Sequence, residues 1–357
     1  MKKIISLFLF VALIFSATSC KKTPLIKEEE KKEYSTRSET LYEYFNTVSI
    51  ITSYGTADET TFKNYITKSN DLLGYYHKLF DIYYEYAGVN NLCTVNKNAG
   101  KSPVKVDAEL INFLEYCKEL YTLTNQKMNI MFGSVLKIWH YAREEADEDF
   151  GYLNPNDLPT EKELREANTY TSIDLLVIDK EASTVYISDP NASIDVGAIG
   201  KGYAVERLYE ALKGMGADNV ALNIGGNIRT IGLKPGNEKW VTGITNPDRT
   251  SDKSFVCRVK IGDTSLVTSG DYERYFISGN QKYHHIIDPD TLMPSTYFSS
   301  VSIFTKDSGL ADALSTALFC MSYEEGLEIV NNIGGIEVLW VYRDGTVKHT
   351  DGIEFVD

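Results

Sequence analysis

Apolar residues recur at helical spacing in some stretches of the chain and alternate in others. Residues 61–80 carry Phe62, Tyr65, Ile66, Leu73, Tyr76 and Phe80 three, four or seven positions apart, which predicts an amphipathic helix. Asp107 precedes Leu110, Ile111, Leu114, Cys117 and Tyr121 on one helical face, so it is expected to cap a second helix. Residues 144–157 are acidic and bear Pro and Asn, the composition of an exposed insertion, and a weaker helix follows around Leu164. Residues 44–54 alternate as a strand does. Later segments are mostly strand-like: 173–178 and 185–187 as a hairpin, then 221–231, 240–244, 255–261, 275–277, 283–287 and 301–304. Helices are expected over 199–212, stopped by Gly214, and over 310–321 and 323–333. A last hairpin, 338–342 with 347–349, turns on Asp344-Gly345. Consecutive strands without a βαβ alternation predict an α+β fold of layered antiparallel sheets with packed helices.

The N-terminus departs from this pattern. Lys2 and Lys3 precede an apolar run over residues 4–15, and Ser16, Ala17, Thr18 and Ser19 lead to Cys20. That run is short for a permanent span but suits a signal peptide, residues 1–19. A Cys directly after small residues is the arrangement that lipoprotein signal peptidase processes. Cys20 would then carry a diacylglycerol, and two or more acyl chains anchor stably. Residues 20–39 are charged and polar, as a solvated tether is. Residues 40–357 form the globular body. The expected location is therefore a lipid anchor in the cell membrane or outer membrane, facing the periplasm.

A formal charge of −14 argues against nucleic acid as a partner, because phosphate backbones are bound by cationic patches. A small phosphate ligand stays compatible if a metal ion supplies local positive charge. Cys93, Cys117, Cys257 and Cys320 lack any Cys-x-x-Cys spacing and are expected as free thiols.

Four segments carry candidate chemistry. Asp195-Val-Gly-Ala-Ile-Gly-Lys-Gly-Tyr-Ala puts glycines 197, 200 and 202 and Lys201 at a helix start, where backbone can approach an anion. It is neither a P-loop nor GxGxxG, and a tight structural turn is the bland alternative. Leu222-Asn-Ile-Gly-Gly-Asn-Ile-Arg has two glycines within a predicted strand, the sign of a bulge or a close approach. Thr268-Ser-Gly-Asp-Tyr-Glu-Arg-Tyr-Phe precedes Tyr283-His-His-Ile-Ile-Asp-Pro, in which His284 and His285 would face opposite ways on one strand. Finally, Asp312 and Thr316 share a helix face with Ser315 beside them. Such a sparse hard-oxygen set suits magnesium, which takes its other ligands from water and phosphates; an N-cap Asp with solvated hydroxyls is the alternative.

Together these segments resemble the signature blocks of the ApbE family of FAD:protein FMN transferases, over a stretch from about Tyr44 to the C-terminus. The resemblance implies a T-fold-related architecture, with Asp195 and Lys201 contacting FAD. It adds the Ala198 carbonyl to Asp312 and Thr316 as magnesium ligands. Ser315 falls where some members carry a metal-binding Asp. Phe45 matches a block that contacts the flavin, Tyr83 one whose Tyr stacks on the flavin or adenine, Lys127-Met128-Asn129 one that usually ends in Asp, and Ile286 or Ile287 would line the pocket. The implied reaction attaches FMN by a phosphoester bond to a Thr or Ser of an exported or membrane redox protein and releases AMP, with His284 or His285 as general base. Two alternatives share parts of this site: an FAD pyrophosphatase, in which water replaces the hydroxyl, and a non-enzymatic FAD-binding lipoprotein.

Overall fold

The computed structural model describes residues 35–55 and 57–356; the leader, Cys20 and most of the tether lie outside them. The first strand, β1 (Thr36–Leu41), already begins within the stretch expected as tether and pairs with β2 (Ser49–Tyr54). The reason is its partner: β1 is largely exposed, and its order comes from the ladder rather than from apolar content. Tyr44 is not part of a strand; Phe45 and Asn46 take left-handed φ of 54° and 50° in the turn between β1 and β2.

Helix α1 (Glu59–Phe80) follows, capped by the Asp58 side chain accepting from Thr61 N at 2.7 Å. After α2 (Leu92–Lys97) and β3 (Val104–Lys105) comes α3 (Ala108–Leu123), with Asp107 as its N-cap as expected. Helix α4 (Gly133–Glu148) was not anticipated, and it absorbs the start of the acidic stretch read as an insertion. Val135, Trp139, Ala142 and Ala146 form its buried stripe, a spacing masked in the sequence by the intervening charges. Helix α5 (Glu161–Asn168) starts with a capping box of Thr160 and Glu163. Strands β4 (Leu176–Asp179) and β5 (Thr184–Ile187) form the expected hairpin, joined by β3.

Helix α6 (Gly200–Gly214) leads to β6 (Val220–Ile224) and β7 (Asn227–Ile231). The segment read as one strand is thus a tight hairpin, turned by Gly225 and Gly226 at φ 55° and 89°. Next come β8 (Trp240–Thr245), β9 (Phe255–Ile261), β10 (Ser265–Gly270), β11 (Tyr275–Ser278), β12 (Gln281–His284) and β13 (Phe298–Thr305). Helices α7 (Ser308–Phe319) and α8 (Tyr323–Ile333), then β14 (Glu337–Tyr342), β15 (Val347–His349) and β16 (Glu354–Phe355), complete the chain.

An eight-stranded antiparallel sheet, ordered β1-β2-β6-β7-β10-β13-β14-β15, forms the middle layer. Alternating side chains serve its two faces. Ile303 and Val338 join the core that contains α7, whereas Phe304 and Leu339 meet Val259 and Ile261 of the small β8-β9-β16 sheet. Helices α1 and α6 cover the β2-β6 end through Leu73, Leu208 and Leu222. Helix α4 packs Trp139 against Phe276 and Tyr283 of the β11-β12 hairpin. Helices over antiparallel sheets match the predicted α+β class. Among the described residues Cys93, Cys117, Cys257 and Cys320 are free thiols.

Candidate functional site

The α6 and α7 helices meet head to flank, and glycine makes that approach possible. A Cβ on Gly202 would lie 3.0 Å from the Ser308 carbonyl carbon, and nearer still to its oxygen and to Asp312 Cβ. At this distance the Gly202 amide donates to Asp312 Oδ2 at 2.8 Å. That amide is one of the N–H groups at the head of α6 for which the helix itself supplies no carbonyl, and Asp312 satisfies it from outside. A buried ion pair holds the junction from below: Arg229 Nε lies 3.1 Å from Glu206 Oε2, which also accepts from Ser308 N at 2.8 Å. The Arg229 guanidinium stacks 3.4 Å from the centre of the Tyr209 ring. Burial pushes the Glu206 carboxyl above its usual pKa, against the lowering effect of Arg229.

Lys201 projects from the first turn of α6. Its Nζ donates to Asn227 Oδ1 at 2.9 Å and stands 3.8 Å from Asp312 Oδ1. The expected pairing of Asp312 and Thr316 on one face of α7 holds, and Thr316 Oγ1 is 3.3 Å from Ser269 Oγ on β10. Ser315 has a different place. It is fully buried, donates to the Asp312 carbonyl at 2.8 Å and shares a 2.8 Å bond with Ser269. Its hydroxyl is committed beneath the helix face, which argues against its assignment as a metal ligand.

The strand expected over 283–287 is not formed: β12 ends at His284, and His285 is the first residue beyond it, so the two histidines have different surroundings. His284 is buried, with Nε2 2.8 Å from the Ser295 carbonyl and Nδ1 accepting from Ile286 N at 3.2 Å. Both nitrogens are occupied, so His284 is structural and is removed as a base. The partly exposed His285 sets Nδ1 against the Arg274 carbonyl at 3.2 Å. Nδ1 must carry the proton there, which leaves the Nε2 lone pair available as an acceptor. Burial, with the charges of Arg274 and Arg143, holds this imidazole well below its usual pKa.

Asp195 opens the turn into α6 and accepts from Gly197 N at 2.8 Å. Burial raises its carboxyl, although Arg274, His140 and Arg143 pull the other way. His140 accepts from Arg143 Nη2 at 2.7 Å and lies 5.4 Å, ring to ring, from the exposed Tyr83. The site is therefore made of two linked groups. Lys201, Asp312, Thr316 and Ser269 surround the helix junction, while His285, Arg274, Asp195 and Tyr83 form the second group.

Other expected contacts have work elsewhere. Lys127 donates to Asp288 and Asp290, at 2.8 Å each, which commits its charge. Met128 is in the core, and Asn129 spends its side chain on Met131 N and the Thr171 carbonyl. Ile286 and Ile287 are both buried in core clusters. Phe45 stays half-buried, edge-on to His77 at 5.8 Å, and its neighbour Thr47 packs on the Gly225 turn. Sequence reasoning gave no role to Asn227, Glu206, His140 or Arg143. Only Asn227 had a signal, its place directly after the paired glycines.

Small residues at a helix head, a lysine and a carboxylate thus converge at one junction of an α+β protein. The ApbE family model matches residues 47–340, and the chain belongs to the ApbE family. It is 32% identical over 276 residues, 73% of each chain, to a protein of Treponema pallidum named FAD:protein FMN transferase. A protein of the same name from Haemophilus influenzae is 26% identical over 339 residues, covering 93% of this chain and 92% of that one. The fold matches the ApbE protein of Thermotoga maritima with a TM-score of 0.74 at 25% identity, over 89% of this chain and 97% of that one. The flavin transferase ApbE of Vibrio cholerae gives 0.71 at 25% identity, over 89% and 96%.

Proposed function

We propose that this protein is a magnesium-dependent FAD:protein FMN transferase, held outside the cytoplasm by a lipid on Cys20. Family membership and the names of its relatives support the transfer of FMN from FAD. The observation that carries the chemistry is the helix junction, where Lys201 and the Gly202 amide meet Asp312, with Thr316 one turn further along α7.

In this reading a Thr or Ser hydroxyl of an exported or membrane redox protein attacks the FMN phosphorus. A new P–O bond forms, the bond to AMP breaks, and AMP leaves with the electron pair. The hydroxyl proton passes to Nε2 of His285, which its low pKa keeps neutral at working pH. Lys201, held at one end by Asn227, offsets the charge on the departing phosphate. Asp195 and Tyr83 orient the dinucleotide.

The donors available to a metal are one carboxylate of Asp312, the Thr316 hydroxyl and, by the family resemblance, the Ala198 carbonyl in the turn before α6. Among the described residues no group of three or more His, Cys, Asp or Glu is poised around a metal. A single carboxylate with neutral oxygens fits magnesium rather than a closed zinc cage. Bound there, magnesium supplies neutralisation of phosphate charge. The leader and Cys20 support the anchor.

The test incubates the protein with FAD, magnesium and an acceptor subunit, then looks for flavin fluorescence retained on a denaturing gel. Covalent fluorescence that disappears with EDTA and with Asp312→Ala supports the proposal. Release of AMP without any acceptor, and without labelling, points to a pyrophosphatase instead. Tight FAD binding indifferent to EDTA, with no turnover, leaves only a flavin-binding protein.

A further inference from the structure

Asn227 is buried, with 2% of its surface exposed, at the first position of β7. Its amide orientation is chemically determined. A lysine ammonium can only donate, so the atom facing Lys201 Nζ at 2.9 Å must be the oxygen. The amide nitrogen therefore points away from Lys201, and it has no hydrogen-bond acceptor among the described residues. A buried amide donor without a partner is costly, and native proteins keep few of them.

Backbone that could not accommodate a larger residue holds this donor in place. Gly225, two residues earlier, packs against Thr47 with no room for a side chain, and its φ of 55° suits glycine. Asn223 Oδ1 accepts from Gly226 N at 3.0 Å and closes the turn. The orphan donor is bonded to the same carbon as the oxygen that holds Lys201, so it belongs to the polar group formed by Lys201 and Asp312.

We propose that Asn227 Nδ2 donates to a phosphate oxygen of the dinucleotide substrate, while Oδ1 holds Lys201 in position. The inference rests on the transferase reading above and adds a second phosphate contact to it. Asn227 is then both a positioning residue for Lys201 and a substrate contact in its own right.

Binding separates these roles, because riboflavin carries the ring system of FAD without its phosphates. Affinities for FAD and for riboflavin are measured by flavin fluorescence quenching for wild type, Asn227→Leu, Lys201→Met and the double variant. Asn227→Leu should lower FAD affinity about tenfold or more, the loss expected for a hydrogen bond to a charged group, and leave riboflavin binding unchanged. A similar further loss should remain when Asn227→Leu is added to Lys201→Met, because the Nδ2 contact does not act through the lysine. If the second loss vanishes, Asn227 serves only to hold Lys201 and the inference is overturned. Equal losses for FAD and riboflavin, or no loss, overturn it as well, the latter being the result if ordered water satisfies the donor. Should Asn227→Leu fail to fold, Asn227→Asp keeps an acceptor for Lys201 and removes the donor; it should lower the FAD-to-riboflavin affinity ratio, and an unchanged ratio refutes the contact. A wild-type protein that binds FAD no better than riboflavin would instead sink the transferase reading itself.

Discussion

Gly202→Ala adds one methyl at the contact between α6 and α7. That methyl would lie 3.0 Å from the Ser308 carbonyl carbon and closer to the Ser308 oxygen and Asp312 Cβ. All three neighbours are backbone atoms or a Cβ, so no rotamer change can relieve the clash. Restoring ordinary contact distances moves one helix away from the other by roughly 1 Å. Overpacking of this kind costs about 1–3 kcal/mol, against at most ~1 kcal/mol recovered from alanine's helix propensity. The functional loss should be larger, because the shift breaks the 2.8 Å bond from Gly202 N to Asp312 and displaces Lys201. A misplacement near 1 Å in a site can cost about a hundredfold in rate. The assay is single-turnover formation of covalent flavin, read beside the urea unfolding midpoint. Gly200→Ala is the control, since its Cβ would meet Phe80 and Val196 at an ordinary 3.4 Å; it should keep both rate and midpoint. A Gly202→Ala protein with wild-type rate and midpoint would refute the reasoning.

Four further outcomes are expected. The His285 pKa lies well below its usual value, so transfer should stay flat from neutral pH down to about 6.5 and decline only below it. An acid limb with a midpoint above 7, or one that survives His285→Gln, would exclude His285 as the base. The unfolded chain has an ordinary histidine, so this residue also costs stability as pH falls from about 6.5 towards its folded value; His285→Gln should lessen acid sensitivity there, as read by denaturant midpoints at stepped pH. Asp195 has a raised pKa, so its contribution to stability is present at acid pH and lost as pH rises through the folded value. Asp195→Asn should therefore raise the unfolding midpoint at pH 7, leave it unchanged near pH 3 and still lose flavin transfer; a lower midpoint at pH 7 would contradict this. Arg229→Met leaves the Glu206 carboxylate buried without its partner, at a cost of about 3–5 kcal/mol in chemical unfolding. Adding Glu206→Gln should recover part of that loss, and full additivity of the two changes would deny the pairing.

Local chemistry was legible in the sequence wherever near neighbours settle it. Asp107 as a helix cap, Asp344-Gly345 as a turn and the stripe of α1 depend on residues within a few positions of one another. The sharing of a face by Asp312 and Thr316 follows from helical period alone. Elements ordered by partners distant in sequence were hidden. Strand β1 is exposed and polar and exists because β2 pairs with it, and α4 reads as a charged stretch until Trp139 is seen against the β11-β12 hairpin. The pairing of Gly202 with Asp312 spans 110 residues, and that of Lys201 with Asn227 spans 26. The same holds for the roles of the polar residues. Sequence pattern could nominate His284 and Ser315, and the family resemblance Lys127, but whether a polar atom is free for a ligand depends on what else it is bonded to. Tertiary packing decides that, because each donor and acceptor has few bonds to give and the fold commits most of them before a substrate arrives.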